Sequence, residues 1–275
     1  MKLFSNGVWY HANIHQSNSN LPFVLMLHGF MGSSEVFSPI ISPLKKFCNP
    51  ITLDLLGHGK TGGSDQPERY HSEYQVSDLI SIIQRFCVKN LYLYGYSMGG
   101  RLAFQLIVRN EKLFEDVLLE STHCGITDQN ERAQRRASDE VNAQDIEENY
   151  HVFLDEWMKN PLFSGPGKFE DKRYLTIMKN QQPEFMSASL RGFGAGTMPS
   201  VCEDFQQLSL PVCLEAGELD DKYKKRMSEL SAKLANVSLK IAANAGHRVH
   251  SDQPESIVKT LKNLIEENHG KLENC

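Results

Sequence analysis

The chain has 275 residues, 40% of them hydrophobic, and carries a net charge of −5 at neutral pH. This length suits one large α/β domain, with or without an inserted segment. No sustained basic stripe appears, so a nucleic-acid partner is not expected. No apolar run approaches the roughly 20 residues that span a bilayer, and the N-terminus lacks the apolar core of a signal peptide. We therefore expect a cytoplasmic protein without membrane contact, either a monomer or a small homo-oligomer.

The cysteines are scattered along the chain and form no C-x-x-C pair. Such spacing favours free thiols in a reducing compartment over a disulfide framework or a zinc site. The six positions concerned are Cys48, Cys87, Cys124, Cys202, Cys213 and Cys275.

Short apolar runs alternate with amphipathic stretches, a pattern that predicts a parallel sheet covered by helices. The final segment, residues 254–267, places Ile257, Leu261 and Ile265 on one helical face. The fold class expected is therefore α/β, with a mostly parallel central sheet flanked by helices. The predicted strands are residues 23–27, 50–54, 90–94, 116–120, 211–216 and 237–241.

Residues 125–200 interrupt this alternation. The segment is rich in Arg, Gln, Glu and Asp and predicts helices without a strand, and a glycine-rich stretch at 192–196 marks a flexible return. Strand patterns resume after it, which favours an insertion into one core over a second domain in tandem. We expect one α/β core in residues 1–124 and 201–275, with a helical cap in 125–200.

The sequence Gly-Tyr-Ser-Met-Gly at 95–99 lies between a predicted strand and a predicted helix. This is the context of a nucleophile elbow, where the serine of a G-x-S-x-G motif occupies a strained turn. A serine in a glycine turn can also be purely structural. The surrounding pattern favours Ser97 as a catalytic hydroxyl.

A serine hydroxyl is unreactive at neutral pH unless a base and an orienting carboxylate accompany it. In this fold type the acid follows the serine along the chain. Two neighbouring candidates, Asp220 and Asp221, follow the strand predicted at 211–216. We favour Asp220 because its spacing from Gly217 leaves it at the crest of the loop, although it could also simply cap a helix.

The base should come last in the chain order, after the next strand. His247 follows residues 237–241, and His250 is a second candidate three residues later. Acid and base would then lie at the carboxyl ends of strands, where an open α/β sheet binds its ligands. We favour His247 because Gly246 gives the backbone freedom to turn the imidazole inward.

A developing oxyanion needs two backbone N–H donors. Met98 follows the serine at the start of a predicted helix, whose dipole favours negative charge. The loop after the first core strand holds His-Gly-Phe at 28–30, and the N–H of Phe30 is the second expected donor. The predicted oxyanion hole is therefore formed by the backbone of Phe30 and Met98.

These motifs together resemble the α/β-hydrolase superfamily over nearly the whole chain. The resemblance rests on His-Gly-Phe at 28–30, Asp-x-x-Gly-His-Gly at 54–59, the elbow at 95–99, Gly-Glu-x-Asp at 217–220 and Ala-Gly-His at 245–247. It implies the fold and the catalytic machinery but no particular substrate. From the residues alone, a serine carboxylesterase or lactonase that uses Ser97 as an acyl nucleophile stays open, as does a non-catalytic binding module.

A narrower resemblance includes the predicted cap. Residues 95–101, 120–126, 131–139 and 157–163 are similar to the 2-succinyl-6-hydroxy-2,4-cyclohexadiene-1-carboxylate synthases of menaquinone biosynthesis. This resemblance implies a lyase that eliminates pyruvate from 2-succinyl-5-enolpyruvyl-6-hydroxy-3-cyclohexene-1-carboxylate, a small polyanionic substrate. The sequence has no HExxH motif and no dinucleotide fingerprint, so we expect neither a metal nor another cofactor.

Arg101 lies one helical turn after Ser97, so both side chains project from one face of the predicted helix. A buried arginine is costly without an anionic partner. The position therefore predicts a clamp for an anionic ligand. A salt bridge to the loop at Asp54 is the structural alternative.

The cap arginines are ambiguous. Ala133, Ala137 and Val141 form an apolar stripe at helical spacing, so periodicity alone puts Arg135 on a solvated face. The resemblance implies instead that Arg135 binds substrate. It implies the same role for three further positions, the last of which carries a lysine where the family usually has an arginine: Tyr96, Trp157 and Lys179.

Overall fold

The computed structural model describes residues 1–163 and 168–272, which are built around an eight-stranded sheet. The strand order is β1-β2-β4-β3-β5-β6-β7-β8; the pairs β1–β2 and β2–β4 are antiparallel and all others are parallel. The predicted fold class is thereby confirmed. The strands are β1 (Lys2–Ser5), β2 (Val8–Ile14), β3 (Phe23–Leu27), β4 (Asn49–Leu53), β5 (Leu91–Tyr96), β6 (Val117–Glu120), β7 (Val212–Gly217) and β8 (Val237–Ala242).

Helices cover both faces of the sheet, which explains why its inner strands are continuous apolar runs. In β3, Leu25 and Leu27 pack in one core cluster, and Val24 and Met26 pack in the other. The first cluster includes residues of α2, α3 and α8, and the second includes residues of α1 and α10. The helices are α1 (Ser38–Leu44), α2 (Ser72–Phe86), α3 (Met98–Arg109), α4 (Gln129–Trp157), α5 (Lys168–Lys179), α6 (Pro183–Phe193), α7 (Cys202–Phe205), α8 (Asp221–Ser231), α9 (Val249–Asp252) and α10 (Pro254–Leu272).

The hairpin of β1 and β2 was not predicted from the sequence. It turns at Asn6 and Gly7, which both have positive φ, at 42° and 83°. An Asn-Gly pair is a strong hairpin signal because both residues tolerate this backbone region. The hairpin joins the parallel strands through β2, whose register pairs Ala12 with Leu53.

Between β6 and β7 the described residues form helices and no strand. The longest, α4, is interrupted at Asn149, whose φ and ψ of −157° and 89° are not helical. The predicted apolar stripe of α4 does not face inward, since Val141 is 55% exposed. Asp139, Ala143 and Ile146 are buried instead. The large apolar side chains later in α4 determine which face of the helix is buried, because exposing an alanine costs little free energy.

Cys124 and Cys202 form a disulfide, so the prediction of free thiols is wrong for this pair. The N–H of Val201 donates to the carbonyl of Cys124 at 2.9 Å, which sets the two chain segments side by side. The bond joins positions 78 residues apart, at the two ends of the helical segment that separates β6 from β7. Among the described residues, the cysteines with free thiols are Cys48, Cys87 and Cys213. No described helix is long and apolar enough to cross a membrane.

Candidate active site

The site is built around a sharp turn between β5 and α3. Ser97 has φ 51° and ψ −110°, a strained conformation for a residue with a side chain. Gly99 makes the turn possible, because a Cβ there would lie 2.2 Å from the carbonyl oxygen of Leu27. The hydroxyl of Thr122 donates to the carbonyl of Ser97 at 2.8 Å and helps to fix the turn. The serine hydroxyl is thus presented at the carboxyl edge of the sheet.

The structure brings Ser97, His247 and Asp220 into one hydrogen-bonded chain. Oδ2 of Asp220 lies 2.7 Å from Nδ1 of His247, and Nε2 of His247 lies 3.0 Å from the hydroxyl oxygen of Ser97. A carboxylate only accepts, so Nδ1 carries the hydrogen and Nε2 is left to accept from the serine. The imidazole and the carboxylate are both buried, which strengthens their interaction. The arrangement can remove the proton from the Ser97 hydroxyl.

The two aspartates that the sequence left in competition have different surroundings. The other carboxylate oxygen of Asp220 accepts from the N–H of Tyr223 at 3.2 Å, so Asp220 also caps α8. The side chain of Asp221 is 91% exposed and pairs with Lys224 at 2.7 Å. Asp220 therefore contacts the imidazole, and Asp221 points into solvent.

The two predicted oxyanion donors border the serine. Met98 is the first residue of α3, and the first N–H groups of a helix have no intrahelical partner. Phe30 lies in the loop that follows β3. That loop passes against the elbow because of Gly29, at which a Cβ would lie 2.6 Å from a ring carbon of Tyr96 and 3.4 Å from Cβ of Ser97.

A cavity of about 550 Å³ opens above Ser97 and His247. Of the predicted substrate-binding residues, Tyr96, Arg101, Arg135 and Trp157 line it. Among the described residues, the side chains of its walls include these cations: Arg101, Arg135, Lys222 and Arg248. No group of three or more metal-ligating side chains occurs in the described part of the chain. The four cationic side chains favour an anionic ligand in this cavity.

Arg101 is buried, and this burial lowers the pKa of its guanidinium to about 10. The neighbouring positive charge of Arg135 also lowers it. One of its terminal nitrogens donates to the carbonyl of Phe193 at 3.3 Å, and Nε has no hydrogen-bond partner in the described structure. The salt bridge to the Asp54 loop does not form. Oδ1 of Asp54 accepts from the N–H of Ser34, and Oδ2 accepts from that of Lys60.

Arg135 lines the cavity from α4. Its Nε donates to Asp139 at 2.8 Å, and Asp139 is buried with its second oxygen near the N–H of Gly196. Burial opposes the charged guanidinium, but the pKa of Arg135 is raised because the carboxylate of Asp139 lies beside it. The guanidinium of Arg135 is thus held in a fixed ion pair at the cavity wall.

Trp157 forms part of an aromatic wall. Its ring stacks on Phe153 at 5.4 Å and meets the edge of Phe30 at 6.0 Å. The indole N–H of Trp157 is buried and has no hydrogen-bond partner among the described residues. The stacking holds the ring in place at the cavity wall.

Lys179 lies outside the cavity lining and its side chain is exposed. Tyr174 and Met178 of the same helix line the cavity instead. These two are four residues apart and share one helical face, whereas a residue one position further is rotated by about 100°. On this side of the cavity the positive charge comes from Arg248, which directly follows His247 in the sequence. Its guanidinium lies 3.9 Å from the ring of Tyr174 and 4.2 Å from that of Phe163.

Comparisons with known proteins agree with this architecture. The model of the alpha/beta hydrolase family matches residues 24–260. A protein of Bacillus subtilis (strain 168), named provisionally as a 2-succinyl-6-hydroxy-2,4-cyclohexadiene-1-carboxylate synthase, is 32% identical over 266 residues, which cover 95% of this chain and 96% of that protein. The Salmonella arizonae enzyme of that name is 25% identical, covering 93% and 98%. The solved structure of MenH from S. aureus has a TM-score of 0.87 at 26% identity, covering 94% of this chain and 99% of that chain.

Proposed function

The chain belongs to the alpha/beta hydrolase family, and on that premise we propose that it is a lyase of menaquinone biosynthesis. It eliminates pyruvate from 2-succinyl-5-enolpyruvyl-6-hydroxy-3-cyclohexene-1-carboxylate and leaves 2-succinyl-6-hydroxy-2,4-cyclohexadiene-1-carboxylate. One observation carries the proposal: the serine–imidazole–carboxylate chain opens into a cavity lined by cations. The 32% identity to a protein named for this synthase reaction, over nearly the full length of both chains, supports it.

The reaction begins with proton abstraction. His247, oriented by Asp220, draws the proton from the Ser97 hydroxyl, and the serine oxygen removes the ring hydrogen α to the succinyl carbonyl. A correctly positioned base of this kind contributes roughly 10²- to 10⁴-fold in rate. The 3.0 Å separation of Nε2 from the hydroxyl oxygen supports this role.

The carbonyl oxygen becomes an enolate when the ring hydrogen leaves. The N–H groups of Phe30 and Met98 stabilise that charge, each by about 3 kcal/mol. Electrons then move through the ring double bond and break the carbon–oxygen bond to the enolpyruvyl group. Pyruvate departs as its enolate, and no covalent bond to Ser97 forms at any stage.

The carboxylates of the substrate require fixed cations. Arg101 and Arg135 supply two guanidinium groups on one side of the cavity, and Arg248 supplies a third beside the imidazole. Guanidinium groups bind carboxylates through paired, charge-assisted hydrogen bonds. We propose that residues 125–200 act as the cap of a core formed by 1–124 and 201–275, because Arg135 and Trp157 reach the cavity from that segment.

The test is to incubate the purified protein with the enolpyruvyl precursor and to follow pyruvate and the conjugated diene together. The two products should appear in a one-to-one ratio, with no acyl-enzyme adduct in the intact mass of the protein during turnover. Small neutral esters serve as the control substrates, and they should be turned over poorly because the cavity binds anions. A burst with those esters and a trapped acyl group on Ser97, without pyruvate from the precursor, would identify an esterase instead.

A further inference from the structure

Glu120 connects the elbow of Ser97 to the segment that carries His247. It is the last residue of β6 and is fully buried. Its carbonyl accepts from the N–H of Ser97 at 2.9 Å. Its carboxylate accepts twice from His250, from the backbone N–H at 3.2 Å and from Nδ1 at 2.9 Å, and it also accepts from the hydroxyl of Tyr94. One residue therefore contacts both Ser97 and a residue three positions after His247.

Both ring nitrogens of His250 have partners other than Ser97. Nδ1 contacts Glu120, and Nε2 is hydrogen-bonded to the hydroxyl of Tyr174. Because a carboxylate only accepts, Nδ1 carries a hydrogen, and Nε2 can accept from the tyrosine. One donor and one acceptor are what a neutral imidazole offers. His250, the second candidate base in the sequence, therefore holds its contact with Glu120 without any change of protonation.

The base loop, which we define as residues 243–248, joins β8 to α9 and carries His247. Helix α9 holds this loop, because the carboxylate of Asp252 accepts from the N–H of Gly246 at 2.8 Å. The same helix is attached to the sheet by the contacts of His250 with the carboxylate at the end of β6. A displacement of α9 would therefore displace the imidazole of His247.

Glu215 is a second buried glutamate on this sheet, and it has different partners. It lies opposite Glu120 in the register of β6 and β7 and is equally buried. Its carboxylate accepts from the hydroxyls of Ser256 and Thr260 on α10, at 2.5 and 2.6 Å, and lies 3.6 Å from the ammonium of Lys240 on β8. None of these three partners belongs to the base loop or to α9. The two carboxylates therefore differ in the segment that they hold and not in their burial.

We propose that Glu120 is a positioning residue for the reaction at Ser97. Through His250, its carboxylate keeps the base loop where Nε2 of His247 lies 3.0 Å from the serine hydroxyl oxygen. This role goes beyond the proposed function, because it concerns the activation of Ser97 whatever the substrate. Misplacing a catalytic group by about 1 Å costs roughly 10²-fold in rate. Loss of the carboxylate should therefore slow the chemistry at Ser97 and leave ligand binding intact, since Glu120 does not line the cavity.

The test compares Glu120→Ala with Glu215→Ala, the matched control that also removes a buried carboxylate. Activity is the release of pyruvate from the enolpyruvyl precursor, measured at a temperature at which both variants are folded. We expect kcat of Glu120→Ala to fall by about 10²-fold with KM within about threefold of wild type. The kcat of Glu215→Ala should stay within about threefold of wild type. A wild-type kcat in Glu120→Ala, or an equal loss of kcat in both variants, would overturn the inference.

A second readout does not depend on the enolpyruvyl precursor. Diisopropyl fluorophosphate labels an activated serine: the serine oxygen bonds to phosphorus, fluoride leaves, and the hydroxyl proton passes to the imidazole. The intact mass of the protein follows the labelling of Ser97. The labelling rate constant should fall in Glu120→Ala by about the same factor as kcat and stay at the wild-type value in Glu215→Ala. Equal labelling of Glu120→Ala and wild type would overturn the inference, whereas wild type that is labelled but releases no pyruvate would overturn the proposed function alone.

Should Glu120→Ala fail to fold, the partner histidine provides the same comparison. His250→Ala removes the ring that contacts the carboxylate, whereas His250→Asn keeps an amide N–H near the position of Nδ1. Labelling of Ser97 should slow by at least about tenfold in His250→Ala and recover most of its rate in His250→Asn. Wild-type labelling of His250→Ala, or equal losses in the two variants, would contradict the positioning role.

Discussion

Asp220 and Asp221 are adjacent in the sequence, but they have different partners. Asp220 touches Nδ1 of His247, whereas Asp221 is exposed and paired with Lys224. In Asp220→Asn the amide oxygen still accepts from Tyr223 and the NH₂ group faces Nδ1, which disfavours the active tautomer of the imidazole, so kcat for pyruvate release should fall by roughly 10⁴-fold. Asp221→Asn is the matched control and should stay within about twofold. Equal losses in the two variants would contradict the assignment of Asp220.

Two neighbouring arginines of α4 provide a similar comparison for substrate binding. Arg135 lines the cavity, and Arg136 is exposed and does not. A hydrogen bond to a charged group contributes about 1.5 to 3 kcal/mol, which is roughly 10- to 10²-fold in an equilibrium constant. Arg135→Ala should raise KM for the precursor by about that factor, and Arg136→Ala should leave KM unchanged. Steady-state kinetics of pyruvate release measure both, and a KM for Arg135→Ala equal to that of wild type would exclude Arg135 from binding.

The disulfide between Cys124 and Cys202 joins the two ends of the helical segment between β6 and β7. Closing a loop of this length restricts the unfolded chain, so its removal should lower the free energy of unfolding by about 2 to 4 kcal/mol. Denaturant titration of the Cys124→Ser/Cys202→Ser double variant measures the change. Cys87→Ser, which removes an exposed free thiol, is the control and should have little effect. Equal stability of the double variant and wild type would contradict a stabilising role for the bond.

Much of the fold follows from local sequence, and the exceptions have identifiable causes. Apolar runs predicted the six parallel strands, and the inner ones are apolar because helices bury them on both faces. The edge strand β8 is partly exposed, and its shorter apolar pattern was still sufficient to locate it. The orientation of α4 was missed because its alanine stripe is weakly apolar, and larger side chains further along decide which face is buried. The disulfide was missed because its cysteines are far apart in sequence and are brought together only by the return of the chain.

Part of the candidate site was also predictable from local sequence. Ser97, Asp220 and His247 follow strands, so local patterns located all three. Tyr174 lines the cavity and was missed because its position there depends on the packing of α5, which has no signature in the local sequence. The position of Arg248 directly after the predicted base was a weak indication that this residue would lie at the cavity.

For the whole molecule, buried neutral histidines make stability depend on pH. Burial, with a smaller contribution from His28, lowers the pKa of His58 to about 3 from the ordinary 6.5. Its Nδ1 donates to the carbonyl of Leu56 at 2.8 Å, which leaves Nε2 buried and unprotonated. Below pH 6.5 the unfolded chain binds a proton at this position and the folded chain does not. The stabilisation is therefore complete above pH 6.5 and is lost progressively as the pH falls toward 3.

This linkage predicts the effect of removing the imidazole. Between pH 6 and pH 4.5, His58→Gln should show a smaller fall in unfolding free energy than wild type, by up to about 1.4 kcal/mol per pH unit. Urea titrations at several pH values measure the slope. His151→Gln removes an exposed histidine of α4 and should retain the wild-type slope. The same slope in His58→Gln and wild type would show that His58 does not contribute.

In the proposed reaction, the Ser97 hydroxyl acts as the base that starts pyruvate loss. The most direct measurement is the rate of pyruvate release from the enolpyruvyl precursor by wild type and by Ser97→Ala, each at the same concentration and with the uncatalysed rate subtracted. We predict rapid release by wild type and a loss of at least about 10³-fold in Ser97→Ala, whose cavity still binds the precursor. Equal rates in the two proteins would exclude the Ser97 hydroxyl as that base.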